Sequence, residues 1–381
     1  VSSRAIGSTA SAAGTRTPFV IEGFDSVGFA VGNAFQSAHF LVTAFGMTPV
    51  AYRGPETGSR DECSYVLRAG ATRFVVTGPT RSRTALGEHV AEHGDSVFDV
   101  GIRVSNVEAA FRHAVAAGAS GLDEPHELRD ADGAVRLASF AAYGPVRHTF
   151  VDRSAYRAAY LPGYQPCPHT FPQPPPVPYF TAIDHCVAAV EAGRMDEWVD
   201  FYQRVLGGEL LAEFIDGEIS TRYSALRSKV VADRSRRVRF PVVEPAPSER
   251  ASQVEEFLRF HGGPGVQHVA LATGDILRAV DGMRAAGVQF LPAPAAYYED
   301  PGLLARMGPI SSPISELRDR GVLVDQDENG HLLQILTKPV QDRPTGFFEL
   351  IERHGSEGFG VGNFAALFHA IEREQDRRGN L

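Results

Sequence analysis

The feature that most constrains this chain is that it is written twice. Phe24-Asp25-Ser26-Val27, leading to Phe45-Gly46-Met47, reads like Ile183-Asp184-His185-Cys186, leading to Leu206-Gly207-Gly208. Val97-Phe98-Asp99-Val100 reads like Val266-Gln267-His268-Val269, and the run from His148 to Arg153 reads like the run from Phe348 to Arg353. At three equivalent points the first copy has Ser26, Asp99 and Thr149, where the second has His185, His268 and Glu349. The offset between copies widens along the chain, most of all between His268 and Glu349, so the second copy must carry insertions. Pro292 to Arg320 is the natural place for the larger one. It holds the pair Tyr297-Tyr298 and the breakers Pro301-Gly302, Gly308-Pro309 and Pro313. Long loops of this kind are often functional.

A chain of 381 residues has room for two such copies, each with its own core. The boundary between them is visible as a proline-dense stretch from Leu161 through Pro178, which cannot be helix or central strand. The expected division is a first domain over 18–160, a linker over 161–178, a second domain over 179–354 and a terminal helix within 355–381. Residues 1–17, rich in Ser, Ala, Gly and Thr, are expected to form a disordered tail; they lack the apolar core of a secretory signal.

Each domain divides again. An alternating strand over Asp25 to Val31 precedes helical spacing over Ala34 to Ala44, closed by Gly46. Strand-like segments follow at Pro49–Tyr52, Cys63–Leu67 and Arg73–Thr77. The pattern of strand, helix and three strands recurs from Asp99, from Ala182 and from Gln267. The expected fold is α+β: four βαβββ units paired into two domains, each an open, barrel-like sheet.

Net charge of −9 gives no electrostatic case for nucleic acid or an anionic membrane surface, and no apolar run reaches the ~20 residues of a membrane span. Three cysteines, Cys63, Cys167 and Cys186, do not make a disulfide framework, so a reducing cytoplasm is expected. Cys186 follows His185, but on a strand successive side chains face opposite ways, which turns its thiol from anything His185 binds.

Two imidazoles and one carboxylate are the donor set of a non-haem iron(II) site with open positions. In this reading His185 and His268 sit on the first strands of the third and fourth units, and Glu349 on the last strand of the fourth. Their separations are far too long for a local motif, and a hydrogen-bonded core histidine is the alternative for each. Glu349 is sharper. It lies inside the apolar strand Phe347-Phe348-Glu349-Leu350-Ile351, where an unpaired carboxylate is costly. A salt bridge to Arg343 or Arg353 is its alternative.

From Phe24 onward the chain resembles the 4-hydroxyphenylpyruvate dioxygenases of the vicinal-oxygen-chelate superfamily. The matching strings are Asp184-His185-Cys186, Gly265 to Ala270, Leu332-Leu333-Gln334-Ile335, Thr337 to Thr345, and Phe347 to Gly355. The resemblance implies an Fe(II) enzyme, ligated by His185, His268 and Glu349, that takes an aromatic α-keto acid and O₂ and forms homogentisate and CO₂ in tyrosine and phenylalanine catabolism. It implies substrate contacts from Ser228, Gln253, Gln267, Gln334 and Asn363, aromatic walls from Phe347, Phe359 and Phe364, and a terminal helix over the cavity mouth. Apolar residues at 364, 367, 368 and 371 form a helical stripe that would equally suit a merely packed helix. A homo-oligomer is expected.

Four positions depart from the family's pattern. Val243 stands where Asn is usual, Leu336 where Phe is usual, Gly346 where a larger apolar residue is usual, and Val361 where Lys is usual. Val243 deletes an amide from the expected ring pocket, and Leu336 an aromatic platform. These changes open the alternative of another arylpyruvate or product, as in the related hydroxymandelate synthases. Those usually have Thr at Pro241 and Ile at Phe364, where this chain keeps the dioxygenase residues. A non-catalytic binding module of the same fold is the third alternative.

Overall fold

The computed structural model describes residues 17–214, 225–299, 310 and 312–379. The expected tail, apart from Thr17, and the centre of the expected insertion lie outside them.

Alternating apolar residues build two eight-stranded sheets. The first comprises β1 (Ile21–Ala30), β2 (Thr48–Arg53), β3 (Glu62–Ala69), β4 (Thr72–Pro79), β5 (Ser96–Val104), β6 (Gly121–Asp130), β7 (Gly133–Ala141) and β8 (Arg147–Asp152). The second comprises β9 (Ala182–Ala189), β10 (Glu209–Phe214), β11 (Leu226–Ala232), β12 (Arg239–Pro245), β13 (Gly265–Ala272), β14 (Leu323–Asp327), β15 (Gly330–Leu336) and β16 (Phe347–His354). Strand order is β2-β3-β4-β1-β5-β8-β7-β6 in one and β10-β11-β12-β9-β13-β16-β15-β14 in the other, the same path twice. This is the expected α+β architecture of paired βαβββ units.

The duplication holds at the level of single residues. Gly101 faces Ser26 on β1 and Thr149 on β8, as Ala270 faces His185 on β9 and Glu349 on β16. Asp99 faces Gly28, as His268 faces Val187. Helices Ala34–Phe45 and Met195–Leu206 follow the first strands, and each ends on a left-handed glycine, Gly46 (φ 63°) and Gly207 (φ 64°), that lets the chain turn back into the sheet. The second half is longer between helix Ile276–Ala285 and β14. There the short helices Ala295–Tyr298 and Ile314–Arg320 lie within the expected insertion.

One pair of elements exceeds the expected pattern. Helices Ala85–His93 and Gln253–His261 join the two units within each half. The first buries little besides His93, so its sequence has no strong apolar stripe. The second starts with a capping box formed by Ser252 and Glu255, a signal that is readable in sequence.

The two halves pack face to face. Phe348 points out of the second sheet into a cluster with Phe45 (ring centroids 4.7 Å apart), Phe74 and Phe29 of the first. Its neighbours Phe347 and Glu349 therefore point into the second sheet's concave side, as strand alternation requires. The proline-dense stretch carries no helix or named strand. It is anchored where Gln165 and Tyr52 exchange backbone hydrogen bonds.

Candidate metal centre and the cavity around it

His185 and His268 reach the same depth because β9 and β13 are neighbouring antiparallel strands, and β16 lies beside β13. Glu349 Oε2 lies 3.2 Å from His185 Nε2 and 3.5 Å from His268 Nε2. One donor atom from each residue lies within 4.8 Å of the others, the one such grouping of histidine, cysteine and carboxylate side chains among the described residues.

Neither salt bridge open to Glu349 forms. Arg353 turns to Asp184, and Arg343 donates to the backbone carbonyls of Glu92 and Ala91. Glu349 is left facing two imidazoles. Burial pushes its carboxyl up, but the two histidines outweigh this and hold it at about 2. For His185, burial opposes the charge, while Glu349 and Asp184 raise the imidazole above its ordinary range. For His268, burial prevails and lowers it.

Both rings are oriented from behind. His185 Nδ1 donates to Asp184 Oδ1 at 2.7 Å, and His268 Nδ1 to Gln267 Oε1 at 3.2 Å. With the proton held on Nδ1, each Nε2 can turn a lone pair to a metal in the space beside Glu349, in place of its contact with that carboxylate. Phe347 stacks on His268 (4.6 Å, 22°) and Phe359 packs edge-on to His185 (5.5 Å). Two imidazoles and one low-pKa carboxylate, with no lysine or arginine paired to it among the described residues, form a donor set that fits a divalent metal. Cys186 is buried in the main core with its thiol pushed up by burial and does not border this space.

A cavity of about 120 Å³ opens beside the three donors. Ser228, Gln253, Gln267, Gln334, Phe347, Phe359 and Phe364 all line it, as do Pro241, Val243 and Leu336. Asn363 does not; it is buried nearby, and its Oδ1 accepts from Tyr297 Oη at 2.6 Å. Gln267 shares the cavity with His268 because β13 carries an extra residue opposite β9, which breaks strict alternation. Gln334 has a buried Oε1 without a partner among the described residues, and Gly360 (φ 72°) makes room for its amide. Helix Phe364–Arg377 contributes Phe364, Leu367, Phe368 and Ile371 as one wall.

Val187, Phe214, Leu226 and Val230 also line the cavity without having been singled out in the sequence. Val187 lies two residues from His185, and Leu226 and Val230 flank Ser228 at the same spacing. The two-residue period of a strand was the signal for three of the four.

A duplicated βαβββ architecture with a metal-ligand set in one copy defines the class. Residues 182–335 match the Glyoxalase/Bleomycin resistance protein/Dioxygenase superfamily, and residues 16–158 match the N-terminal model of hydroxyphenylpyruvate dioxygenase. The chain is 41% identical to a 4-hydroxyphenylpyruvate dioxygenase of Yarrowia lipolytica, over 94% of this chain and 93% of that one. It is 43% identical to one of Caenorhabditis elegans with the same coverage, and 41% identical to one of Dictyostelium discoideum over 95% of this chain and all of that one. Among solved structures, a triple mutant of 4-hydroxymandelate synthase from Streptomyces coelicolor matches with a TM-score of 0.80 and 32% identity, covering 93% of this chain and 98% of that one. The chain belongs to the 4-hydroxyphenylpyruvate dioxygenase family. No helix among the described residues is long and apolar enough to cross a membrane.

Proposed function

We propose that this chain catalyses the Fe(II)- and O₂-dependent conversion of 4-hydroxyphenylpyruvate to homogentisate, with loss of CO₂ and migration of the side chain. The observation that carries this reading is the buried cluster of His185, His268 and Glu349 at the wall of an aromatic-lined cavity, in a chain of this family. Two imidazoles and one carboxylate favour iron(II) over a structural metal, because they leave positions free for substrate and oxygen. When bound, the iron would supply the redox chemistry and the binding positions for keto acid and O₂.

The protein's own residues do the rest. Asp184 and Gln267 keep the Nδ1 protons in place, so both Nε2 atoms stay available as ligands. No lysine or arginine lines the cavity among the described residues, which leaves the keto acid's carboxylate to the metal's charge. Ser228, Gln253 and Gln334 offer hydrogen bonds to a substrate in an otherwise apolar wall. Phe364, Leu367 and Phe368 close the wall against water. A reducing cytoplasm fits the three free cysteines.

The likeness to a hydroxymandelate synthase favours a second reading with the same cofactor and a mandelate product. One experiment separates them. Anaerobic enzyme loaded with Fe(II) is given O₂ and 4-hydroxyphenylpyruvate, and the products are separated by chromatography. Homogentisate is expected; hydroxymandelate would favour the second reading, and neither product would overturn both. Sedimentation of the same preparation tests the expected homo-oligomer.

A further inference from the structure

Phe359, which lines the metal cavity, belongs to residues 355–363, a short strap that joins β16 to the terminal helix. The strap sets the Phe359 ring edge-on to His185 and brings Gly360 against the amide of Gln334. Three side chains hold it. Asp327, the last residue of β14, accepts from Ser356 Oγ at 2.6 Å and from the amides of Glu357 and Gly358 at 2.9 and 2.8 Å. Asp325 accepts from the Gly362 amide at 3.0 Å. The third is Arg353 on β16. Its Nη1 donates to the carbonyls of Ser356 at 3.2 Å and Gly358 at 2.7 Å, and its guanidinium lies 5.5 Å from the centre of the Phe359 ring.

The remaining nitrogens of Arg353 face the other way. Nε and Nη2 donate to the two oxygens of Asp184, whose Oδ1 also accepts from His185 Nδ1. One guanidinium therefore joins the strap to a metal donor with all three of its nitrogens engaged. It is planar and its N–H groups form a fixed fork, so it cannot shift toward one partner without disturbing the other. The first half shows what this fork does without a metal donor. Arg153 holds Asp25 with Nε and Nη2 and donates from Nη1 to the carbonyl of Tyr160, whose ring lies 5.4 Å from the guanidinium. Beside Asp25, Ser26 stands where the second half has His185. There the fork fastens the fold alone.

We infer that Arg353 is a positioning residue that ties the setting of His185 to the closure of the strap, so that metal binding and closure favour each other. A cation on His185 Nε2 fixes the ring, and through Asp184 it fixes the plane of the guanidinium on which two strap carbonyls depend. In the other direction, a closed strap holds Phe359 against the edge of that ring. Linkage makes the two effects equal in size. The inference rests on the proposed metal site and adds the strap to its support. Its consequence for the proposed reaction is one of order: the cavity is walled most firmly against water once the metal is in place.

The test uses the full chain and needs no turnover. Metal-free protein is titrated with Co(II) by calorimetry, without keto acid, and amide exchange is followed by mass spectrometry with and without the ion. Exchange across 355–363 should slow by about 5- to 150-fold when Co(II) binds, the usual span of such coupling. Peptides around Tyr160, at the end of the Arg153 fork, should not respond. Arg353→Lys keeps a charge beside Asp184 but has one nitrogen in place of the fork, so it should bind Co(II) with the strap's response lost. Asp327→Ala frees the strap from outside, touches none of the three metal donors, and should weaken Co(II) binding at least about 5-fold. No Co(II) binding to wild type would overturn the metal site and this inference with it. Binding with unchanged strap exchange, an equal response at Tyr160, or a full response in Arg353→Lys would overturn the inference alone. Should Arg353→Lys fail to fold, Asp327→Ala decides: unchanged Co(II) affinity there separates the strap from the metal.

Discussion

Arg353 grips Asp184 with two nitrogens, Nε at 2.8 Å and Nη2 at 3.0 Å, and the same pair recurs in the first half as Arg153 and Asp25. Arg239 joins Asp184 at 3.1 Å as Arg73 joins Asp25 at 3.1 Å. Only in the second half does the carboxylate also hold an imidazole, that of His185. The same ion cluster is thus present in both halves, and in the second it also orients His185, one of the three candidate metal donors.

That difference predicts divergent mutants. Asp184→Asn and Asp25→Asn should each destabilise the fold by about 3–5 kcal/mol, because each leaves buried arginines without their counter-charge. Only Asp184→Asn should also weaken Fe(II) binding, by about 10- to 100-fold. Denaturant unfolding and metal titration check the two effects separately. Equal metal affinity in both variants would remove Asp184 from the site's support.

For the ligands, Glu349→Gln should keep the fold but weaken Fe(II) binding and abolish turnover, since it replaces an anionic donor by a neutral amide. Thr149→Ala, at the register-equivalent position of the first sheet, should leave iron content unchanged. Iron content by elemental analysis, together with homogentisate formed, decides. Normal iron and turnover in Glu349→Gln would mean the ligand assignment is wrong.

Asp99, at the register-equivalent position of His268 in the first half, has its own pH signature. Burial raises the Asp99 carboxyl from its ordinary 3.8 to about 6, against the hydrogen bonds it accepts from Thr149 and the charge of Arg147. A carboxyl with a raised pKa binds its proton more tightly when folded. Its contribution to stability is fully present below about pH 4 and is lost as pH rises through about 6. The stability of Asp99→Asn relative to wild type should therefore climb between those values, by at most about 1.4 kcal/mol per pH unit, and level off above them. Urea unfolding at several pH values measures it; a flat difference would show that Asp99 is not perturbed.

How much of this was legible in sequence follows from what was local. The repeat and the strand positions could be read because alternation leaves marks in a single segment; the three candidate metal donors came from comparing the two copies and from the family resemblance, with only Glu349 marked by its own apolar strand. The pairing register of β5 and β13 agrees with the residue-by-residue equivalence read from the repeat. Helix Ala85–His93 was not legible, because it buries too little apolar surface to show a stripe. A cavity between the two halves, lined by Phe29 and Phe257, was not legible either. Both are ordinary core aromatics in sequence, and only the packing of one sheet on the other brings them together. Asn363 was expected at the cavity from the family resemblance alone, and it does not line it; its partner, Tyr297, sits in the insertion peculiar to the second half.

The terminal helix should act as a wall against water. Truncation before Asn363 removes Phe364, Leu367, Phe368 and Ile371 from the cavity. Oxidation should then uncouple, with more O₂ consumed than homogentisate formed. An oxygen electrode beside product chromatography gives the ratio, and unchanged coupling would leave the helix a purely structural role.

The last prediction concerns the ring end of the cavity, where Val243 and Leu336 are both buried and both line the wall. Val243 lies opposite Ser228 on β11, and Leu336 opposite Glu349 on β16, so both are held on rigid strands rather than on loops. Neither can donate a hydrogen bond to a ring hydroxyl. The double change Val243→Asn, Leu336→Phe should raise kcat/KM for 4-hydroxyphenylpyruvate relative to phenylpyruvate. One regained hydrogen bond is worth roughly 0.5–1.5 kcal/mol, or about a 2- to 13-fold change in that ratio. His185, His268 and Glu349 are untouched, so the comparison isolates ring recognition from metal binding. A wild-type ratio already strongly favouring the 4-hydroxy compound, with no gain in the double variant, would show that the ring hydroxyl is read elsewhere. Ser228, Gln253 and Gln334, the polar side chains on that wall besides Gln267, would then be the next positions to change.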